Sequence, residues 1–201
     1  MSFAAVMAGG EGRRFGSEKG LALFRGEPMV VWAVRAARGA ASSVVIIANK
    51  PDLYLGFDCP VYRDLIPGMG PLSGLHTAFE STGAERMLAL ACDMPLASPR
   101  MAAYIVARMN DIDREAALPV VGGKEQGLFA VYKRKAIEKH MKDIRSGSIQ
   151  FNQFRAGLDK LLILEDELRR VEPGLESFTN FNRREELDRY EKRPEISVVD
   201  K

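Results

Sequence analysis

The densest group of chemistry-bearing residues is Ala8-Gly-Gly-Glu-Gly-Arg-Arg-Phe-Gly-Ser-Glu-Lys19, with four glycines in the nine positions 8–16. Glycines spaced this way let the backbone approach a ligand closely and enter left-handed conformations. Successive backbone N–H groups then form a concavity suited to phosphate. Arg13 and Lys19 add a planar fork and a point charge. Neither familiar phosphate motif fits. Lys19 follows Glu18 and precedes Gly20, which breaks G-x-x-x-x-G-K-[ST]. Gly10-Glu-Gly12-Arg-Arg is followed by Phe15, which breaks G-x-G-x-x-G. The stretch reads as a phosphate loop of another kind, and read alone it also describes a surface loop with solvated arginines.

Two aspartates stand where they could complete such a site. Asp93 follows the apolar run Met87–Ala91 and precedes Met94-Pro95. Mg2+ is usually held by one or two carboxylates plus substrate phosphates, so one aspartate opposite a phosphate cradle suffices for a metal site. An aspartate bonding its own turn ahead of Pro95 is the equal competitor. Asp64 precedes Pro67-Gly-Met-Gly-Pro-Leu-Ser-Gly74. There, glycines lead into a helix start whose unpaired N–H groups suit anions or base edges, or else serve turn geometry alone. Asn49, Asn180 and Asn182 read first as turn or cap residues. His76 and His140 fall in helical segments with no serine or cysteine motif, so a nucleophilic triad has no support. Cys59 and Cys92 form no CxxC and have no histidine at ligand spacing; zinc is not expected, and counting alone leaves a single disulfide open.

A phosphate loop of this kind belongs at the carboxyl ends of parallel strands, and the first half supplies them. Apolar runs predict strands at Phe3–Met7, at the β-branched Ser43–Ala48 and at Met87–Ala91, with a short strand at Pro60–Tyr62. Helices are predicted at Met29–Arg38, from Pro71 to Ser81, and from the Ser98-Pro99 cap to Asn110. Strands apolar on both faces, alternating with helices, imply a three-layer α/β/α fold with a mostly parallel, Rossmann-like central sheet. The second half is less regular. Strands are expected at Ala116–Val121 and Leu128–Tyr132 around Gly122-Gly123, and at Leu161–Leu164. Helices are expected at Lys133–Ile144, Ser148–Phe154 and Arg183–Lys192, the last with Asn182 as its cap and a solvated, charged face.

Length and composition bound the functions. With 201 residues, 46% hydrophobic and 28% charged, the chain is one ordinary globular domain rather than a disordered or fibrous one. Lys plus Arg number 29 against 27 Asp plus Glu, a net charge of +2, which argues against a dedicated nucleic-acid binder. Any anion must be held by a local site rather than by the overall field. Met1–Met7 is apolar without basic residues and breaks at Gly9-Gly10, and no apolar run reaches the roughly 20 residues of a span. The expected address is the cytoplasm, away from membrane.

Taken together, these segments resemble the molybdenum cofactor guanylyltransferases, a branch of the α/β nucleotidyltransferases. The resemblance rests on Met7-Ala-Gly-Gly-Glu-Gly-Arg-Arg-Phe-Gly-Ser-Glu-Lys-Gly20, on Asp64-Leu-Ile-Pro-Gly-Met-Gly-Pro-Leu-Ser-Gly-Leu75, on Ala91-Cys-Asp-Met-Pro95 and on Asn180-Phe-Asn182. Phe15 stands where the family usually has Met. Gly9-Gly10 resembles the guanylyl branch, whereas Ala-Gly is similar to the cytidylyl one. Arg183-Arg184 replace a frequent Thr-Pro, and Gln126-Gly127 a common His-Pro pair, both in the half expected to meet the pterin.

The resemblance implies transfer of GMP from GTP to the terminal phosphate of molybdopterin, with or without bound molybdenum, releasing pyrophosphate by in-line attack. It implies Mg2+ on Asp93 and nucleotide contacts from Met7, Ala8, Gly9, Gly10, Lys19, Asn49 and Asp64. Arg13 would steady the departing pyrophosphate, and Asn180 and Asn182 would lie on the acceptor side. Within one domain, 1–201, a composition shift near Asp111 separates 1–110 from 111–193 and a tail, 194–201, and the resemblance makes the first the nucleotide-binding half and the second the acceptor-binding half. Partners would be these small molecules and, transiently, proteins that deliver the cofactor. The competing readings are a CTP-dependent pterin branch, or transfer to a cobinamide phosphate or sugar phosphate. A nucleotide sensor without chemistry is disfavoured by Lys19 and Asp93 together.

Overall fold

The computed structural model describes residues 2–9, 15, 18–66, 68–110 and 112–192. Gly10, Arg13 and the tail 194–201 lie outside the described residues. In chain order the first half contains β1 (Phe3–Met7), the hairpin strands β2 (Leu23–Phe24) and β3 (Glu27–Pro28), α1 (Met29–Arg38), β4 (Ser43–Ala48), β5 (Val61–Arg63), α2 (Pro71–Thr82), β6 (Arg86–Ala91) and α3 (Pro99–Ala107). The second half adds β7 (Ala116–Val121), β8 (Lys124–Glu125), β9 (Phe129–Lys133), α4 (Arg134–Lys139), α5 (Met141–Ser146), α6 (Phe151–Ala156), β10 (Lys160–Ile163), α7 (Glu165–Val171) and α8 (Arg184–Glu191).

Among the described residues one sheet of eight strands runs β10-β7-β9-β6-β1-β4-β5, with β8 on β7. It is mostly parallel; β9 runs antiparallel to both β6 and β7, and β8 antiparallel to β7. The chain lays β4 and β5 on one side of β1 and then returns to place β6 on the other. That reversal opens a crevice outside the carboxyl ends of β1 and β6, where α/β sheets of this kind bind ligands.

Strand periodicity explains the three layers. Successive strand residues point to opposite faces. Accordingly Ala4, Val6, Val44, Ile46, Leu88 and Leu90 enter one buried cluster, with Val30 and Val34 of α1, Met101 of α3 and Leu168 of α7. Ala5, Met7, Val45, Ile47, Met87 and Ala89 enter the other, with Leu72 and Leu75 of α2, Ile137 of α4, Ile144 of α5 and Phe154 of α6. This is the three-layer α/β/α arrangement expected from the alternation of apolar strands and helices. Ser98 caps α3 as expected: its Oγ accepts from Met101 N–H at 3.1 Å, with Pro99 at the first turn.

Several second-half expectations need correction. Gly122 and Gly123, at φ 57° and 73°, make the two-residue turn of the β7–β8 hairpin rather than joining β7 to β9. The predicted helix 133–144 is two helices broken at His140, whose ψ of 10° leaves the helical range, and Lys133 belongs to β9. The predicted helix 148–154 starts at Phe151, because Gln153 Oε1 caps the Gln150 N–H at 2.9 Å. Asn182 is not the cap of α8: Arg183 holds that position, and Glu186 Oε2 accepts the N–H groups of both Asn182 (2.7 Å) and Arg183 (3.2 Å). The α7 helix and the β2–β3 hairpin are elements beyond those that the sequence patterns predict. Cys59 and Cys92 are free thiols, so no disulfide joins them. No helix among the described residues is long and apolar enough to cross a membrane.

Candidate active site

The crevice at the carboxyl ends of β1 and β6 is lined by Met7, Ala8 and Gly9, by Lys19, by Asp64, by Gly70, Pro71 and Gly74 at the start of α2, and by Ala91, Cys92 and Asp93. Ile47 and Leu128 complete its apolar wall. Sheet pairing builds the floor. Met7 lies opposite both Ile47 and Ala91, and the ladder continues past the strand ends: Ala8 N–H donates to Ile47 O at 2.8 Å and Cys92 N–H to Met7 O at 3.1 Å. These bonds fix the backbone that leads into the glycine loop on one side and into Asp93 on the other.

Lys19 reaches across this floor. Its ammonium is ion-paired with Asp93 Oδ2 and donates to Asn182 Oδ1 at 2.9 Å. Both side chains of the pair are mostly buried. The other carboxylate oxygen of Asp93, Oδ1, is buried and has no hydrogen-bond partner among the described residues. A buried acceptor without a donor is costly unless something else satisfies it, and a hard cation is the group that a lone carboxylate oxygen beside a phosphate cradle accepts. Among the described residues no group of three or more His, Cys, Asp or Glu could hold a metal by protein alone. A cation here would depend on Asp93 and on ligand oxygens, and the residues present fit that arrangement.

The turn that carries Lys19 is packed closely. A Cβ on Gly20 would lie 3.0 Å from Tyr54 Oη and 3.3 Å from Cys92 Sγ, tighter than ordinary contact, so a side chain there would crowd Tyr54 against the turn that carries Lys19. Cys92 is no nucleophile. Burial, reinforced by the neighbouring Asp93 charge, pushes its thiol up to about 12, so it stays protonated near neutral pH. Burial likewise raises the Tyr54 phenol, whose hydroxyl has no partner among the described residues.

Asp64 lies just past β5 and is anchored by α2. Its Oδ1 accepts from Ser73 Oγ, from Thr77 Oγ1 at 3.3 Å and from Ile66 N–H at 3.2 Å. Ser73 and Thr77 sit one turn apart on the same helix face, a spacing that by itself does not identify Asp64 as their partner. Asn49 donates its side-chain N–H to Gly9 O, which ties the end of β4 to the start of the glycine loop. Thus Met7, Ala8, Gly9, Lys19, Asp64 and Asp93 come together, with Asn49 behind Gly9 and Asn182 on Lys19. Asn180 is exposed and does not line the crevice. Ile47 and Leu128 are site residues that motif reading missed, since apolar lining carries no local signal.

What this arrangement can do is hold a phosphorylated ligand between a glycine-loop backbone, an ammonium and a carboxylate, with a helix start beside it. Comparison with known proteins agrees. Residues 4–154 match the model of the MobA-like NTP transferase domain. The chain is 33% identical over 191 residues to a molybdenum cofactor guanylyltransferase of Desulfosudis oleivorans, covering 92% of both chains. It is 29% identical to a probable molybdenum cofactor guanylyltransferase of Bacillus licheniformis, covering 92% of this chain and 94% of the relative. The crystal structure of molybdopterin-guanine dinucleotide biosynthesis protein A from Archaeoglobus fulgidus superposes with a TM-score of 0.81 at 23% identity, covering 93% and 95% of the two chains, and shares the fold. With the matched domain spanning the glycine loop, Asp64 and Asp93, the chain belongs to the MobA-like NTP transferase family and is a nucleotidyltransferase.

Proposed function

We propose that the protein is a molybdenum cofactor guanylyltransferase, moving GMP from GTP to the terminal phosphate of molybdopterin. The observation that carries this reading is the Lys19–Asp93 pair at the switch point of the sheet, with Asp93 Oδ1 buried and unpartnered beside it. A point cation and a cation-seeking carboxylate facing one backbone cradle suit a triphosphate rather than an uncharged ligand. Two relatives whose names specify guanylyl transfer, matched along most of the chain, support the base and the acceptor.

In the reaction, an oxygen of the acceptor phosphate attacks the α-phosphorus of GTP in line. A new P–O–P linkage forms, the bond between the α-phosphorus and the α–β bridging oxygen breaks, and pyrophosphate leaves with the electron pair. No enzyme nucleophile is required, which accords with the protonated Cys92. The chain's own contribution is positioning and charge neutralisation. The backbone of Met7, Ala8 and Gly9, continuing to Gly10, cradles the phosphates, and Asn49 holds Gly9 in place. Lys19 donates to a phosphate oxygen, and Arg13 steadies the leaving pyrophosphate. Asp64, with one oxygen anchored by α2, offers the other to donors of the nucleoside: the guanine N1–H and N2–H or the ribose hydroxyls. Asp93 would hold Mg2+ through its unpartnered Oδ1, and the ion would supply charge neutralisation at the phosphates. Residues 111–193 contribute the acceptor side, with Asn182 beside Lys19 toward the pterin phosphate and Asn180, two residues before it, outside the crevice.

Product analysis tests this directly. Incubation with GTP, Mg2+ and molybdopterin should yield the guanine dinucleotide and one pyrophosphate per turnover, identified by mass. Release of pyrophosphate only with CTP, or only with a cobinamide or sugar phosphate, would overturn the assignment.

A further inference from the structure

A lysine ammonium has three N–H donors and no acceptor. Among the described residues, Lys19 gives two of the three, one to Asp93 Oδ2 and one to Asn182 Oδ1 at 2.9 Å. With two corners of a tetrahedral head fixed, one direction is left for the third, and Lys19 lines the nucleotide crevice. The Asn182 backbone is anchored beside Lys19 although the two residues are 163 positions apart. Glu186 Oε2 takes the N–H groups of Asn182 and Arg183 at 2.7 and 3.2 Å. The preceding Phe181 N–H donates to Asp93 O at 3.0 Å, tying this peptide to the residue with which Lys19 pairs. Upstream, Ser177 Oγ accepts from Ser98 N–H at 2.9 Å and donates to Ser98 Oγ at 3.1 Å. The Phe181 ring is buried in a small aromatic cluster, 5.8 Å from Phe24 and 5.4 Å from Tyr190 between centroids. Phe15, from the glycine loop, packs on the same cluster.

We propose that Asn182 is a positioning residue for Lys19, setting the ammonium so that its free donor meets a nucleotide phosphate before any acceptor is present. This rests on the nucleotide reading above and adds a second duty to a residue placed on the acceptor side. An amide suits it. A neutral carbonyl fixes the ammonium without cancelling the charge that attracts phosphate, as a second carboxylate would.

The test uses binary nucleotide binding with no acceptor, measured by calorimetric titration of GTP with Mg2+ into the wild-type chain, Asn182→Ala, Lys19→Ala and the double variant. Positioning predicts that Asn182→Ala weakens binding about 3- to 10-fold. In the Lys19→Ala background the same change should have no further effect, which a merely structural contribution would not produce. The melting point of the nucleotide-free variants checks folding, and Asn182→Ser serves if Asn182→Ala does not fold. An unchanged affinity for Asn182→Ala, or an equal loss in both backgrounds, overturns the proposal while leaving the nucleotide reading intact. A wild-type chain that binds none of GTP, CTP, ATP or UTP overturns the nucleotide reading and this proposal with it.

Discussion

Lys19 and Asp93 do different work on one ligand, so their removal should have different signatures. Asp93→Ala removes the only crevice carboxylate with a buried, unpartnered oxygen among the described residues. It should abolish metal-dependent pyrophosphate release in a coupled assay while the melting point stays near wild type; surviving turnover would contradict the metal assignment. Lys19→Ala loses a charge-assisted contact of about 1.5–3 kcal/mol, which predicts a GTP affinity lower by roughly 10- to 100-fold. A third residue acts on stability instead. His76 on α2 is buried, and neither ring nitrogen has a hydrogen-bond partner among the described residues. Burial holds its proton affinity below the ordinary value, with Arg145 pushing the same way and Glu80 and Asp64 against it. The folded state therefore binds fewer protons than the unfolded one. Stability from this group is complete above the unfolded value of about 6.5 and declines as pH falls through and below it. His76→Leu should flatten urea-derived stability between pH 7 and 5.5, and an unaltered slope would rule His76 out as the cause.

Among the elements, the turn carrying Lys19 and the N-terminus of α3 are the places where a small change has a predictable cost. Gly20→Ala puts a methyl 3.0 Å from Tyr54 Oη, crowding the turn that carries Lys19 without emptying any part of the core. Transfer rate should fall by more than stability does, and adding Tyr54→Phe, which deletes the nearest obstructing atom, should restore part of it. If the double variant is no faster than Gly20→Ala alone, crowding by Tyr54 is not the reason. Ser98→Ala removes the α3 cap and the partner of Ser177, with an expected loss of about 1–2 kcal/mol in denaturant unfolding. Sequence patterns at this scale were legible where the signals are local: apolar runs for β1, β4 and β6, β-branched in β4, and Pro or Ser-Pro starts for α2 and α3. The hairpins escaped because the two-residue strands β2, β3 and β8 are too short for any periodicity to register. The α7 helix did carry a readable signal, Glu165-Asp-Glu in its first turn and Arg169-Arg in its last.

For the molecule as a whole, topology does what composition cannot. A net charge of +2 gives little long-range attraction for a triphosphate, so specificity depends on one crevice assembled from distant segments. Met7–Gly9, Asp64 and Asp93 were legible as site residues because each lies at or just past the end of a strand, and parallel strands collect such positions at one edge. The Lys19–Asn182 contact was not, since no local pattern links residues so far apart in sequence, and neither was Leu128, brought in by the antiparallel β9. The most direct measurement of the central claim is a thermal-shift panel of GTP, CTP, ATP and UTP with Mg2+, on the wild-type chain and on Asp93→Ala. A nucleotide present at 100 times its dissociation constant adds about 2.7 kcal/mol, a rise of roughly 5–10 °C for a domain of this size. The account predicts that rise for GTP alone, diminished in Asp93→Ala. A CTP-selective rise, or none with any nucleotide, would contradict it.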